Sequence, residues 1–182
     1  MLVQSMTTDF PAKILNVVDD FIATELESVR TRLLACLLDH DAGLEDFAEL
    51  GALHLSRQLK IDRVFVCDTA DGTIVAGWGR GKNVVNSEDW PKQYRPLEMD
   101  ETLMQALEGD NLVANPVPGV GADFALPVRL SDGRLWILVF DETETAREFS
   151  NRDLAHTYLV RDLLLIKARL VGSADKAYAV SL

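Results

Sequence analysis

Two cysteines, three histidines and a run of aromatics among cations are the residues of this chain whose types could do chemistry. Cys36 and Cys67 lie far apart and form no Cys-x-x-Cys pair, so neither a zinc knuckle nor a disulfide framework is implied. Each reads as a small hydrophobe for a helix or strand to bury; the competing reading, Cys67 as a nucleophile, requires a thiolate with a depressed pKa. His40, His54 and His156 sit at no metal-ligand spacing, and no HExxH or HxxxH occurs, so no metal is expected. His54 and His156 fall on expected helices and His40 at a helix end, where a cation also suits the macrodipole. No Ser-His-Asp or paired-carboxylate arrangement follows from spacing, and the Asp141-Glu142-Thr143-Glu144 run reads as a solvated loop. An enzyme is not the expected class.

The densest chemistry lies between residues 78 and 95. Trp78, Trp90 and Tyr94 interleave with Arg80, Lys82, Lys92 and Arg95, partly offset by Glu88 and Asp89, in an otherwise acidic chain. Aromatic surface beside positive charge suits a planar anionic ligand; the alternative is loop packing with solvated charges. Gly77-Trp78-Gly79-Arg80-Gly81-Lys82 has the glycines and lysine of a phosphate loop but not the GxxxxGK[ST] spacing. Asn83 stands where the metal-binding hydroxyl belongs, so a flexible turn is expected. Residues 115–121, Asn-Pro-Val-Pro-Gly-Val-Gly, read as a rigid-then-flexible connection that could form a pocket lip.

Bulk properties bound what holds these residues. A chain of 182 residues with 48% hydrophobic content supports one well-buried core. A net charge of −11 opposes binding to nucleic acid and to anionic membranes, where clustered Lys and Arg are needed. No apolar run reaches the roughly 20 residues of a membrane-spanning helix, and the N-terminus has no basic segment followed by an apolar one. Cytoplasmic residence is expected.

Apolar residues at Ile14, Val18, Ile22, Leu26, Val29, Leu33 and Leu37, widened by Phe21, predict a long helix over 9–40 after a disordered 1–8, with Asp9 as cap and Pro11 in its first turn. A second helix is predicted from Leu44 to about Leu59. RVFVCD (63–68) and TIVAGW (73–78), separated by Ala70-Asp71-Gly72, predict a β-hairpin. A loop follows to about Leu97, then a short helix 101–108 and a brief edge strand 112–114. Strands 122–130 and 134–140 flank Ser131-Asp132-Gly133, a tight-turn signal. Ser150 caps a last helix, with Asp153 completing a capping box, to about Val171; 172–182 is expected to fray. In that helix Ala155, Leu159, Leu163, Ile166 and Leu170 form one apolar stripe and Leu154, Tyr158 and Leu165 another, more than one sheet face requires.

This order, with Ala125-Leu126-Pro127-Val128, Asp132-Gly133-Arg134-Leu135-Trp136 and Phe149-Ser150…Asp153-Leu154, resembles the GAF family over roughly residues 44–170. The resemblance implies an α+β fold: a single antiparallel sheet of five or six strands, N- and C-terminal helices on one face, and a roof of loop and short helix on the other. It implies one domain over 9–171 and a pocket under the roof, about Gly79 to Gly121. Trp78, Arg80, Lys82, Trp90, Tyr94, Arg95 and Phe124 are the candidate ligand residues. Cysteine-using members of the family carry theirs later in the domain, and none follows residue 67 here, so covalent bilin attachment and thiol redox catalysis are not expected. The cyclic-nucleotide constellation of the family has no counterpart either.

Beside the less favoured cysteine-dependent enzyme with Cys67 as nucleophile, two readings stay open: a sensory or regulatory module holding a small ligand or a signalling partner, and an adaptor whose pocket is filled by its own side chains. In either, the surplus apolar surface predicts a homodimer through Val18, Phe21, Val29 and Leu33 of the first helix and Leu159, Leu163, Ile166 and Leu170 of the last.

Overall fold

The computed structural model describes residues 24, 27, 28, 30–79, 82–83, 100–117, 121–142 and 148–179. Among these residues four helices and six strands follow in the order α1 (30–38), α2 (Leu44–Leu59), β1 (Arg63–Asp68), β2 (Ile74–Gly79), β3 (Lys82–Asn83), α3 (Glu101–Leu107), β4 (Val113–Val117), β5 (Gly121–Arg129), β6 (Leu135–Glu142) and α4 (Asn151–Ala179). The strands form one sheet in the order β3-β2-β1-β6-β5-β4, with every neighbouring pair antiparallel. The fold is α+β, as the residue pattern predicts.

Local chemistry sets the boundaries. The Gly43 N–H donates to Asp46 Oδ2 (2.8 Å) at the start of α2, and Lys60, at φ 51°, ends that helix in the left-handed region. Both hairpin turns use an aspartate that accepts from the backbone two residues on, Asp71 from Thr73 and Asp132 from Arg134, beside Gly72 (φ 76°) and Gly133 (φ 92°). Ser150 and Asp153 exchange the two bonds of a capping box, Ser150 N–H to Asp153 Oδ2 (3.0 Å) and Asp153 N–H to Ser150 Oγ (3.3 Å).

Strand alternation then assigns side chains to two faces. Val64, Val66, Phe124, Leu126, Val128, Trp136, Leu138 and Phe140 meet Leu33, Phe47, Leu55, Val160 and Leu164 of α1, α2 and α4 in the larger core. Phe65, Cys67, Ala125, Ile137 and Val139 meet Leu103 and Ala106 of α3 on the opposite face. Lys167 of α4 is buried and donates from Nζ to the carbonyls of Leu37 (3.4 Å) and Asp39 (2.7 Å), satisfying the C-terminal end of α1. His54 and His156 face each other between α2 and α4, ring centroids 5.7 Å apart, and burial lowers the His54 pKa to about 4, so this ring is neutral at pH 7.

Several expectations are corrected. Asp141 and Glu142 end β6, with Asp141 buried, rather than opening a solvated loop. Residues 115–117 are strand, and β4 and β5 are joined by 118–120 alone, because Pro116 sits on an edge strand where its missing N–H costs no ladder bond. The glycine-rich 77–83 segment is mostly strand, β2 pairing with β3. α4 continues to Ala179 through Gly172, which costs a helix only about 1 kcal/mol and is followed by alanines and lysine. Its buried face runs Asp153, His156, Thr157, Val160, Leu164, Lys167 and Ala168, not along the stripe from Ala155 to Leu170, of which only Leu163 is buried. Hydropathy misplaces the face because four of its residues are polar. Of the predicted first helix, residues 9–23, 25, 26 and 29 lie outside the described residues.

Gly51 brings α2 against α4: a Cβ there would stand 2.8 Å from Val160 Cγ1. Gly51→Ala is therefore expected to lower the thermal midpoint, overpacking of about 1–3 kcal/mol outweighing the helix-propensity gain of roughly 1 kcal/mol. Adding Val160→Ala should restore part of the loss; a single variant as stable as the parent would show that the helices are not in tight contact.

Candidate functional site

On the face covered by α3, one cross-strand row is polar. Arg63 of β1 is paired with Asp141 of β6, Asp141 with Asp123 of β5, and Asp123 with Asn115 of β4. The phase of each strand compels this. In β5, Ala122, Phe124 and Leu126 belong to the helix-side core, so Asp123 must face the other way; Phe140 and Leu138 do the same for Asp141. One pleat further along, Val113, Ala125, Val139 and Phe65 form an apolar row. A hydrophobic floor with a few convergent polar groups at one end is the composition of a small-molecule site.

α3 stands over the β4–β5 side of the row. Asp100 caps it, accepting from Leu103 N–H (3.0 Å), and Asn115 Nδ2 donates to Thr102 Oγ1 (3.2 Å) and Gln105 Oε1 (3.4 Å). Arg63 Nη2 lies 2.9 Å from Asp141 Oδ2. Asp141 is only 5% exposed, and its Oδ1 has no hydrogen-bond partner among the described residues. Burial drives the Asp141 pKa up to about 7; the Arg63 charge opposes this, while Asp123, Asp100 and Asp62 add to it. Burial wins over a close ion pair because the Arg63 side chain is 39% exposed and shares its charge with water. Asp123 is raised too, first by burial and then by Asp100, with Arg63 opposing. Near neutral pH Asp141 can thus donate a proton in a hydrogen bond or accept one.

No protein-family model matches the sequence, and a search of curated proteins finds no match. Solved structures do match the fold. The GAF domain of an Acinetobacter phosphoenolpyruvate-protein phosphotransferase superposes with a TM-score of 0.62 at 11% identity, covering 82% of this chain and 95% of that one. A phycocyanobilin-bound GAF domain from a cyanobacterial phytochrome gives 0.58 at 17% identity over 82% and 96%. The GAF-B domain of DevS from Mycobacterium smegmatis gives 0.55 at 22% identity over 71% and 96%. This chain has the GAF fold.

Within its GAF fold, the residues singled out from sequence scatter. Trp78 pairs with Val64 and packs on the helix-side core, and Phe124 stacks on Phe149 with centroids 4.1 Å apart, so both face away from the polar row. Residue type suggested them as ligand contacts, but strand phase decides the face. Arg80, Trp90, Tyr94 and Arg95, and the side chain of Lys82, lie outside the described residues. Of the dimer candidates, Leu33 and Leu163 are spent in the chain's own core, Leu159 is half-buried, Ile166 and Leu170 are exposed, and Val18, Phe21 and Val29 lie outside the described residues. Cys67 is buried, donates its S–H to the Asp68 carbonyl (3.4 Å), and has its pKa pushed up to about 12 by burial and then by Asp68 and Asp71; it is a thiol, not a thiolate.

Arg63, Asp123, Asp141 and Asn115 were not among the residues singled out. A signal existed: an aspartate in phase with the apolar residues of its strand cannot be a loop residue. A wide groove of about 710 Å³ between the start of α2, the β5–β6 turn and the end of α4 shares no residue with the row. Among the described residues no helix is long and apolar enough to cross a membrane, and no group of acidic, histidine and cysteine side chains could hold a metal ion.

Carboxyl-carbon NMR should find Asp141 titrating near pH 7, and Arg63→Met should move that midpoint higher by removing the opposing charge. Because the folded pKa is raised, the associated stability is complete below the unfolded pKa and is lost as pH rises through about 7. A midpoint in the ordinary carboxylate range would remove the case for a desolvated Asp141.

Proposed function

We propose that this chain is a GAF regulatory or sensory module, one domain over 9–171, that holds a small molecule non-covalently against the α3 face of its sheet and works as a homodimer. The observation that carries the ligand half is the row Arg63–Asp141–Asp123: charge placed beside an apolar floor, with Asp141 desolvated and one of its oxygens without a partner among the described residues. The ligand it suits offers hydrogen-bond donors to the two carboxylates, an acceptor to the guanidinium, and an apolar body to Phe65 and Val139. That a similar GAF fold holds phycocyanobilin supports the reading in kind. Cys67, buried and protonated, offers no covalent attachment.

A second reading, the self-filled adaptor, is favoured by one observation: Phe65, Cys67 and Val139 are already buried. Mass spectrometry of natively purified protein, with thermal shift across a metabolite panel, separates the two. The module reading expects a co-purifying molecule, or a ligand that raises the midpoint and ceases to do so in Asp141→Asn. No molecule and no shift would leave the adaptor.

The dimer half rests on surface that the core leaves over. Leu34 (44% exposed) and Leu38 (68%) of α1, and Ile166 (43%) and Leu170 (46%) of α4, are exposed large aliphatics on two adjoining helices. At 29 residues α4 is about 44 Å long and far outruns the 16-residue α2 that covers the same sheet, so a second copy laid along it would bury what one chain cannot. Sedimentation should show a dimer that Ile166→Glu with Leu170→Glu converts to monomer; a parent monomeric at all concentrations would sink this half.

A further inference from the structure

The connection from α3 to β4, residues 108–112, is held from both sides of the sheet. From β5, Arg129 Nε donates to Asp110 Oδ1 (2.7 Å), and its Nη2 donates to the carbonyls of Leu107 and Gly109 (3.0 Å each). One guanidinium thus closes the C-terminal end of α3 and fixes the turn after it. From the other face, Arg161 of α4 donates from Nη1 to the Asp110 carbonyl (3.1 Å), and the Leu112 N–H donates to Tyr158 Oη of α4 (3.2 Å). Arg161 lies over the Tyr158 ring, 4.7 Å from its centroid, and binds Asp162 Oδ1 at 2.8 Å, which orients its fork.

Asp110 is therefore gripped by its side chain from β5 and by its backbone from α4. The strand order explains how: β4 is an edge strand, so the segment entering it rounds the rim of the sheet, where α4 can reach it. We infer that this segment is a mechanical link between α3 and α4, so that a displacement of α3 by an occupant of its face is passed to α4 through Asp110 and Leu112. The inference builds on the proposed ligand face, and supplies what that reading lacks, a path from the covered face to the helix carrying the exposed aliphatics. Ordinary loop anchoring would need Arg129 alone. The contacts from Arg161 and Tyr158 add nothing to α3 itself, yet tie its exit to a helix on the far side of the sheet.

The test needs no ligand. Hydrogen exchange is followed by mass spectrometry on the full chain with α3 loosened by Asp100→Ala, which removes its N-cap, or by Leu103→Ala, which removes its buried anchor. Each is made with the link intact and with the link cut by Arg161→Ala plus Tyr158→Phe. With the link intact, exchange in α3 should rise about fivefold in Asp100→Ala, the size of effect expected from one lost cap, and more in Leu103→Ala, and in each by a smaller factor at residues 156–164 of α4. With the link cut, α3 should still loosen while α4 stays as it is in the cut parent. An α4 indifferent to α3 with the link intact, or equally responsive with it cut, overturns the inference. Since a metabolite enters neither arm, failure to find a ligand leaves this result standing, and its failure leaves ligand binding untouched.

Discussion

Six paired positions between β1 and β6, from Arg63 with Asp141 to Asp68 with Trp136, join the two halves of this molecule, the hairpin β1–β2 and the hairpin β5–β6. Each hairpin is local and closes over a short turn; the central ladder must be found across a long loop, so its register needs its own specification. Side chains supply it at both ends. Arg63 bonds Asp141 on the α3 face, and Trp136 Nε1 donates to Asp68 Oδ2 (3.0 Å) on the helix face, each between directly paired residues. A slip of one residue would break both bonds and turn Trp136 and Phe140 away from the helices.

Buried charge shows how differently the two faces are used. On the helix side Lys167 is withdrawn from water but donates to two carbonyls at the end of α1, so its burial ties two helices together. On the α3 side Asp141 has one oxygen on Arg63 and another without a partner among the described residues, and it responds by holding its proton to near neutral pH. A satisfied buried charge reads as architecture. One left half-satisfied beside an apolar floor is the feature on which the proposed ligand site rests.

The same sheet places the proposed coupling between α3 and α4 at its edge rather than through its middle. Its two cores share the backbone plane but no side chains, and between them stands a dense antiparallel ladder that resists small displacements. At the β4 edge the segment after α3 can touch α4 directly. The proposed link therefore joins α4, which carries Ile166 and Leu170, to the α3 side of the sheet at one rim.

By itself the sequence determined every element whose signal is local: α2 by its apolar period from Leu44 to Leu59, both hairpins by their Asp-Gly turns, and α4 by Ser150 and Asp153. With them came the fold class and the resemblance to GAF domains, since order and turn chemistry survive where overall identity does not. Only the tertiary structure decided which face each side chain serves. Trp78 and Phe124 looked like ligand contacts and are helix-side core, and Asp141 looked solvated and is buried. The physical reason is common to all of them. Periodicity reports which residues share a face of one element, but what lies against that face depends on strand register and helix docking between segments as far apart as Arg63 and Asp141 or Leu37 and Lys167, and those pairings are set by long-range contacts that no local stretch of residues contains.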